Sequence, residues 1–194
     1  MARVPTVDPT AFRPDLAEAV GHPTSADRVR LGALPAWAVT PELALAFLDF
    51  QRTLEHHAVL PPRLRELVRL RVAFHNRCRS CMAVRSGAAF ADGMTDGAVC
   101  SLERPEEADD LSDAEKAALQ YADLMATDHL AIDDAVFSLL RTHFDDREVV
   151  ELGVHIGLCV GFGRLAATWD LVDDLPPSFR ADDAAPWSAG TTVR

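Results

Sequence analysis

The longest apolar stretch of the chain, LGVHIGLCVGFGRLAATW at residues 152–169, limits the fold most strongly. It contains His155, Arg164 and four glycines, which disfavours a membrane span and indicates a buried core helix. Of the 194 residues, 48% are hydrophobic, so there is enough apolar material to build one sizeable core around such a helix. We therefore expect a folded domain organised around this stretch.

Helix signals recur along the rest of the chain, and no strand-like alternation of useful length appears. Thr40-Pro41 is a helix start, and Pro61-Pro62 restarts a helix that carries Leu64, Leu67 and Val68. Capping boxes precede two later helices, at residues 112–115 and 145–148. The sequence predicts an all-α, compact multi-helix domain of seven or eight helices.

Composition divides the chain into three parts. Residues 1–39 are expected to form an arm with one short helix, residues 40–175 the helical domain, and residues 176–194 a proline-rich tail. We expect that tail to be disordered or to lie on a neighbouring molecule.

Charge and cysteine usage narrow the function classes. Nineteen basic residues against thirty acidic ones give a formal charge of −11, which argues against nucleic-acid and anionic-membrane partners. The N-terminal sequence has no apolar signal region, and four cysteines do not indicate a disulfide scaffold. We expect a cytoplasmic protein.

The stretch HNRCRSCMAVR at residues 75–85 places Cys78 and Cys81 three residues apart among three arginines. With Asn76 as the cap of a helix to about Ala91, Cys78 falls in the first turn, where free N–H groups favour a thiolate. Cys78, Cys81 and Arg85 would then share one stripe of that helix. One alternative to a redox pair is that both cysteines are small buried apolar residues. A third interpretation is a zinc site, which needs two further ligands, and only Cys100 and His75 could supply them.

The segment LPPRLRELVRLRVAFHNRCRSCMAVRSGAAFADGMTDGAV resembles the core motif of the carboxymuconolactone decarboxylase superfamily, in its alkyl hydroperoxidase D-like (AhpD-like) branch. Glu66, Cys78 and Cys81 match the motif, and the likeness extends over roughly residues 60–175. The family's histidine position holds Arg85 here. Arginine stays protonated and cannot relay a proton, although it can stabilise a thiolate or pair with Glu66.

The resemblance implies a thiol-dependent hydroperoxide reductase that uses the cysteine pair and no cofactor. Cys81 would attack the hydroperoxide, Cys78 would resolve the sulfenic acid, Glu66 would orient or accept the proton, and Arg85 would hold the thiolate. The resemblance also implies a dithiol or lipoyl-type reductant as a partner. It further implies that the protein assembles into trimers or hexamers. A non-catalytic helical oligomer, acting as redox sensor or small-ligand binder, is the alternative; a decarboxylase is a further one.

The remaining candidates have structural interpretations. His155 is expected to be a hydrogen-bonded core histidine, and Arg164 a buried or interface ion-pair partner. Cys100 and Cys159 are expected to be structural, and His75 is a substitute base only if it approaches the cysteines. Gly153, Gly157 and Gly161 form a strip of small residues that another helix can approach.

Overall fold

The computed structural model describes residues 2–187, and within that range the chain is entirely helical, with no β-strand. The predicted all-α class is confirmed. There are more helices than predicted, because several are very short. The α-helices are α1 (Pro14–Ala19), α2 (Leu34–Trp37), α3 (Pro41–His57), α4 (Pro62–His75), α5 (Arg79–Ala83), α6 (Gly87–Ala91), α7 (Asp96–Ser101), α8 (Asp113–Thr127), α9 (Asp134–Leu140) and α10 (Asp146–Trp169). Short 3-10 helices lie at Pro9–Ala11, Ser25–Asp27, Pro105–Glu107, His129–Ala131 and Pro177–Phe179.

Helix α4 lies at the centre of the domain and packs chiefly against α8 and α10. Leu67, Val68 and Leu70 follow one another along α4 and are all fully buried, so more than one face of the helix meets neighbours. The predicted capping boxes are present, with Ser112 and Glu115 opening α8 and Asp145 and Glu148 opening α10. The central position of α4 fixes where its polar residues can lie.

Helix α10 is only partly the buried core helix expected from its sequence. Its Leu152 and Ile156 are fully buried in the main core, whereas Val150 is 66% exposed. By length and composition this helix could also cross a membrane, and it is the one such helix among residues 2–187. The glycine strip lies largely open: a Cβ at Gly157 or Gly161 would meet no other atom within 4 Å.

The junction of α4 and α10 is held by Asn76, which ends α4. The expectation that Asn76 begins the next helix is wrong, because the next residue, Arg77, adopts a positive φ of 53° that turns the chain away. The Asn76 side chain instead donates from Nδ2 to the Cys159 carbonyl at 2.8 Å and accepts from Arg164 Nε at 3.2 Å. A Cβ on Gly163 would stand 2.5 Å from Asn76 Nδ2, so α10 can approach only with glycine there.

Both terminal segments pack on the helical domain. Phe12, Leu16 and Leu34 of the N-terminal segment (residues 2–39) form a cluster with Ala44 of α3. At the other end, residues 170–187, here named the C-terminal cover, place the fully buried Phe179 against α4 and α5. The tail was expected to be disordered or to lie on a neighbour; as far as residue 187 it lies on its own chain instead. Residues 188–194 lie outside the described residues.

Candidate active site

The two cysteines of the CxxC motif form a disulfide, with their Cα atoms 5.2 Å apart. Cys78 is the residue that precedes α5, and Cys81 lies in the first turn of this short helix. The predicted single helix to Ala91 is wrong: α5 ends at Ala83, Val84 is extended, and Ser86 opens α6 with its hydroxyl accepting from the Ala89 N–H. Cys78, Cys81 and Arg85 therefore do not share one helical stripe.

The two sulfurs have different surroundings. Cys78 is fully buried, and its Sγ lies 3.6 Å from the hydroxyl of Ser80. Cys81 is partly exposed and lines a cleft that is open to solvent. A molecule arriving from solution therefore reaches Cys81 first.

Glu66 is a buried acid that faces the cysteine loop from α4, with only 3% of its surface exposed. Arg69, one turn later, binds both of its carboxylate oxygens, at 2.6 and 2.7 Å. The backbone N–H of Ser86 donates to the same carboxylate at 2.9 Å. Burial by itself would raise the pKa of Glu66, but the charge and hydrogen bonds of Arg69, with Ser86 and nearby Arg85, hold that pKa below its ordinary value.

Arg69 connects this acid to the redox pair. The same guanidinium that binds Glu66 donates from Nη1 to the Cys81 carbonyl at 2.7 Å and from Nη2 to the Val84 carbonyl at 2.8 Å. Burial would lower the pKa of Arg69, and the Glu66 carboxylate raises it instead, so the side chain stays charged. An ion pair of Glu66 with Arg63 or Arg69 is an interpretation that their spacing on one helix favours, and Arg69 forms it. The contacts of Arg69 with the cysteine loop were not predicted from the sequence.

Arg85, at the family's histidine position, is buried and directs its guanidinium to backbone carbonyls. It donates to Met82 and Val84 in the cysteine loop and to Pro186 in the C-terminal cover. Arg85 and Glu66 line the same surface depression, and the charge of Arg85 helps to lower the pKa of Glu66. Arg85 therefore ties the C-terminal cover to the loop that carries the disulfide.

The cleft beside Cys81, here named the apolar cleft, has a volume of about 620 Å³. One side comes from the N-terminal segment and α3, and the other from α4 and α10. A second depression of about 320 Å³ shares Arg69 and His155 with it and also contacts Glu66 and Arg85. The apolar cleft is lined on its apolar side chiefly by Leu31, Leu34, Trp37, Phe47, Leu48, Leu54, Leu158 and Phe162.

His155 and Cys159 of α10 line the same cleft as Cys81. His155 donates from Nε2 to the Arg65 carbonyl at 2.9 Å, and burial together with neighbouring Arg65 and Arg69 lowers its pKa. The ring is therefore neutral at neutral pH, with a lone pair on Nδ1. The core-histidine interpretation holds for its hydrogen bond but missed its place beside the disulfide. Burial raises the pKa of the Cys159 thiol to about 11.

The other candidates lie elsewhere. His75 binds Asp123 through Nε2 at 2.7 Å, in a cluster with Arg71, and does not line the apolar cleft. Cys100 is an exposed free thiol. Arg164 donates to Asn76 and to the Ala126 carbonyl rather than to an acid. No group of three or more potential metal ligands comes together among residues 2–187.

Comparison with known proteins supports the family resemblance. Residues 41–124 match the model of the Carboxymuconolactone decarboxylase family. An uncharacterised protein of Mycobacterium tuberculosis is 36% identical over 120 residues, which is 60% of this chain and 42% of that protein, so the chain spans well under half of that relative. The uncharacterised protein YdfG of Bacillus subtilis is 24% identical over 67% of this chain and 88% of its own length.

Two crystal structures share the fold. One is an uncharacterised peroxidase-related protein from Ralstonia eutropha with an alkylhydroperoxidase AhpD core, at 18% identity and a TM-score of 0.74, covering 92% of this chain and 94% of that one. The other, from Agrobacterium tumefaciens, has been proposed to be an antioxidant defence protein AhpD; it gives 20% identity and a TM-score of 0.57 over 70% of this chain and 92% of that one.

The chain is therefore similar in sequence to the Carboxymuconolactone decarboxylase family over residues 41–124, and it shares the helical fold of both crystal structures. The apolar cleft is built largely from residues before 41 and after 124, outside the segment that the family model matches.

Proposed function

We propose that this protein is a thiol-dependent hydroperoxide reductase that cycles Cys78 and Cys81 between dithiol and disulfide. The observation that carries the proposal is the asymmetry of the pair: Cys81 lines a cleft, whereas Cys78 is fully buried directly behind it. An attacking cysteine must meet its substrate, and a resolving cysteine needs to meet only its partner.

The reaction balances without a cofactor. The Cys81 thiolate attacks the terminal oxygen of ROOH, the O–O bond breaks, and RO⁻ takes a proton to leave as ROH. The sulfenic acid on Cys81 is then attacked by the Cys78 sulfur, which forms the disulfide and releases water. A dithiol, such as a lipoyl group, attacks the accessible Cys81 sulfur, and the exchange restores both thiols while the dithiol closes to its own disulfide.

Charge at the site supports a thiolate. Arg69 donates to the carbonyl of Cys81, and with Arg85 it keeps the surroundings of the loop cationic despite the Glu66 carboxylate. Because neither arginine releases a proton at neutral pH, we assign proton acceptance to Glu66, or to His155 through its free Nδ1. His155 replaces His75 as the substitute base, since it shares the cleft with Cys81.

The test is a hydroperoxide-consumption assay with a dithiol reductant, run on the wild type, Cys81→Ser and Cys78→Ser. Cys81→Ser should abolish consumption, because it removes the nucleophile. Cys78→Ser should reduce one equivalent of peroxide per chain and leave a trappable sulfenic acid on Cys81. Cys100→Ser is the matched control and should retain full activity. If Cys81→Ser consumes peroxide as fast as the wild type, the proposal is wrong.

A non-catalytic role is the second candidate, and Arg85 is the observation that favours it. A protonated arginine at the family's proton-relay position suits a thiol pair that responds to oxidant without turning over quickly. A redox sensor of this kind would form the disulfide stoichiometrically in the same assay and then require a large excess of dithiol to reset. Multiple turnovers at a steady rate would exclude it.

We also propose that the protein assembles into trimers or hexamers. Leu43 and Val150 are 68% and 66% exposed, and Phe50, Phe162 and Leu165 also present apolar surface. With the open glycine strip of α10, these residues offer a surface that a second copy can cover. Light scattering that returned the monomer mass of 21.1 kDa at micromolar concentration would contradict this.

A further inference from the structure

Three aromatic side chains that line the apolar cleft are grouped together. Trp37 of α2 lies with its ring centroid 4.2 Å from that of Phe47 and 5.2 Å from that of Phe162, and Phe47 and Phe162 are 4.5 Å apart. Trp37 belongs to the N-terminal segment and Phe162 to α10, so the group forms only when both pack together. Ring faces and edges at these separations favour a flat, ring-bearing ligand.

Two hydrogen-bond donors in the cleft-lining side chains have no acceptor among the described residues. Trp37 Nε1 and Arg65 Nε are both shielded from solvent and unpaired. Both groups can only donate, and a buried donor without a partner costs roughly 1–3 kcal/mol. Both side chains line the apolar cleft, and a ligand oxygen that reaches either N–H would satisfy it.

The charges that line the cleft are already neutralised. Both terminal nitrogens of Arg65 bind Glu55, at 2.5 and 3.0 Å, and Arg69 is bound to Glu66. Arg30 pairs with Asp27 at 3.1 Å, and His155 is neutral because its pKa is lowered. An anionic ligand would find no unpaired positive charge here, and the chain as a whole carries −11. An uncharged ligand avoids the desolvation cost that an ion would pay.

We propose that the apolar cleft binds an uncharged, ring-bearing organic molecule with a carbonyl-type oxygen acceptor, held against Cys81. The volume of about 620 Å³ is in the range of small-molecule sites. The N-terminal segment supplies the selective side of this site through Trp37. The proposal does not rest on peroxidase activity, because binding is measured without peroxide.

Three naphthalene compounds of similar size test the ligand class by isothermal titration calorimetry. The uncharged ketone 2-acetylnaphthalene should bind most tightly; naphthalene, which lacks the acceptor, should bind about fivefold more weakly. Anionic 2-naphthoate at pH 7 should bind at least about tenfold more weakly than the ketone, because its charge is unpaired in the cleft. Tightest binding by 2-naphthoate, or no binding by any of the three because a second copy fills the cleft, would overturn the proposal.

Two pairs of variants locate the site. Gln51→Trp places a bulky side chain in the cleft from exposed α3, and Thr53→Trp adds the same side chain on that helix outside the cleft. Gln51→Trp should weaken ketone binding by at least about tenfold, and Thr53→Trp should leave it unchanged. Trp37→Phe keeps a ring and removes one of the two unpaired donors, so it should reduce the preference for the ketone over naphthalene. Equal effects of the two α3 variants would contradict the assignment.

Alkylation of Cys81 tests whether the ligand lies next to its sulfur. In the reduced protein, saturating 2-acetylnaphthalene should slow iodoacetamide modification of Cys81, followed by mass spectrometry, while exposed Cys100 reacts at its usual rate. Gln51→Trp should lose this protection. Unchanged modification of Cys81 under saturating ketone would show that the ligand lies elsewhere and would refute the proposal. Absence of peroxide turnover alongside protection would refute only the proposed function.

Discussion

Cys78 and Cys81 are three residues apart, yet the chain surrounds them differently. Cys81 lines a cleft to which the N-terminal segment contributes, and it also packs against the cluster around Phe179, whereas Cys78 is fully buried. A CxxC motif alone does not define which sulfur reacts first, because its two positions are equivalent in spacing. The segments outside the motif make the distinction.

The largest expected effect comes from removing the buried Phe179 side chain of the C-terminal cover. Phe179 is fully buried against Met82 and Ala83, so Phe179→Ala should destabilise the fold by about 3–5 kcal/mol through the cavity it leaves. In the reduced protein it should also loosen α5, which Cys78 immediately precedes, and so expose Cys78 to iodoacetamide. Chemical denaturation and mass spectrometry measure the two effects.

Leu130→Ala is the control for that change, because Leu130 is 85% exposed and its loss should cost little stability. If Phe179→Ala leaves Cys78 unmodified while lowering stability, then the C-terminal cover does not protect that sulfur.

A second large effect should follow from removing the charge of the buried acid. Glu66→Gln leaves the guanidinium of Arg69 buried without its carboxylate, and breaking such a pair costs about 3–5 kcal/mol. The folded-state pKa of Glu66 lies below its unfolded value of about 4.3, so its stabilisation is complete above that pH and is lost as pH falls through the folded pKa. The urea midpoint of the wild type should therefore decrease below about pH 4 more steeply than that of Glu66→Gln.

Glu106→Gln, at an exposed position, should follow the wild-type pH dependence and serves as the control. If the urea midpoints of the wild type and Glu66→Gln change with pH in parallel, then the pKa of Glu66 is the same in the folded and the unfolded protein.

The next prediction concerns proton transfer at the attacking thiol of Cys81. Arg85→His introduces a group that can shuttle protons between Glu66 and the attacking thiol, and a positioned acid–base group is worth about 100-fold in rate. We expect hydroperoxide turnover to rise towards that value, while alkylation of the thiol at neutral pH stays the same or slows. Stopped-flow consumption assays measure the first effect and iodoacetamide kinetics the second.

Arg85→Ala loses the same carbonyl contacts to Met82 and Pro186 without adding a proton carrier. It should lose thiol reactivity and gain no turnover. Unchanged turnover in Arg85→His would show that another base, such as His155, already moves the proton or that the protein is not a peroxidase.

The smallest expected effect concerns the Cys78 sulfur itself. Ser80 places its hydroxyl 3.6 Å from Sγ, where it can donate a hydrogen bond to the thiolate that leaves when a dithiol attacks Cys81. Ser80→Ala should slow reduction of the disulfide by about fivefold, the effect of one lost hydrogen bond. Ser138→Ala, with a hydroxyl bonded only to its own helix, should change nothing. Identical reduction rates would remove Ser80 from the mechanism.

The sequence predicted the parts of this molecule that depend on local patterns. The all-α class followed from helical periodicity, and the capping boxes of α8 and α10 were read correctly, because caps act within four residues. Asn76 was misread because a helix end and a helix start both favour it, and only the positive φ of Arg77 distinguishes them.

What the sequence did not reveal depends on contacts between distant segments. The contacts of Arg69 with the cysteine loop could not be predicted, because its partners there are backbone carbonyls, which carry no sequence signal. His155 lines the same cleft as Cys81 only because α10 packs on α4. Likewise Trp37 and Phe179, at opposite ends of the chain, surround the CxxC motif through packing that no local pattern encodes.

The contact between Gly163 and Asn76 has a consequence for protein engineering. Alanine in place of a helical glycine commonly gains up to about 1 kcal/mol, so α10 looks open to stabilisation at each of its glycines. Gly163 is the exception, since its methyl group would collide with the amide that joins α10 to the residues before Cys78. Gly157 and Gly161 have room for a methyl group within one chain. Alanine there would raise the melting temperature of a monomer, and any loss of assembly that accompanied it would locate the contact between subunits.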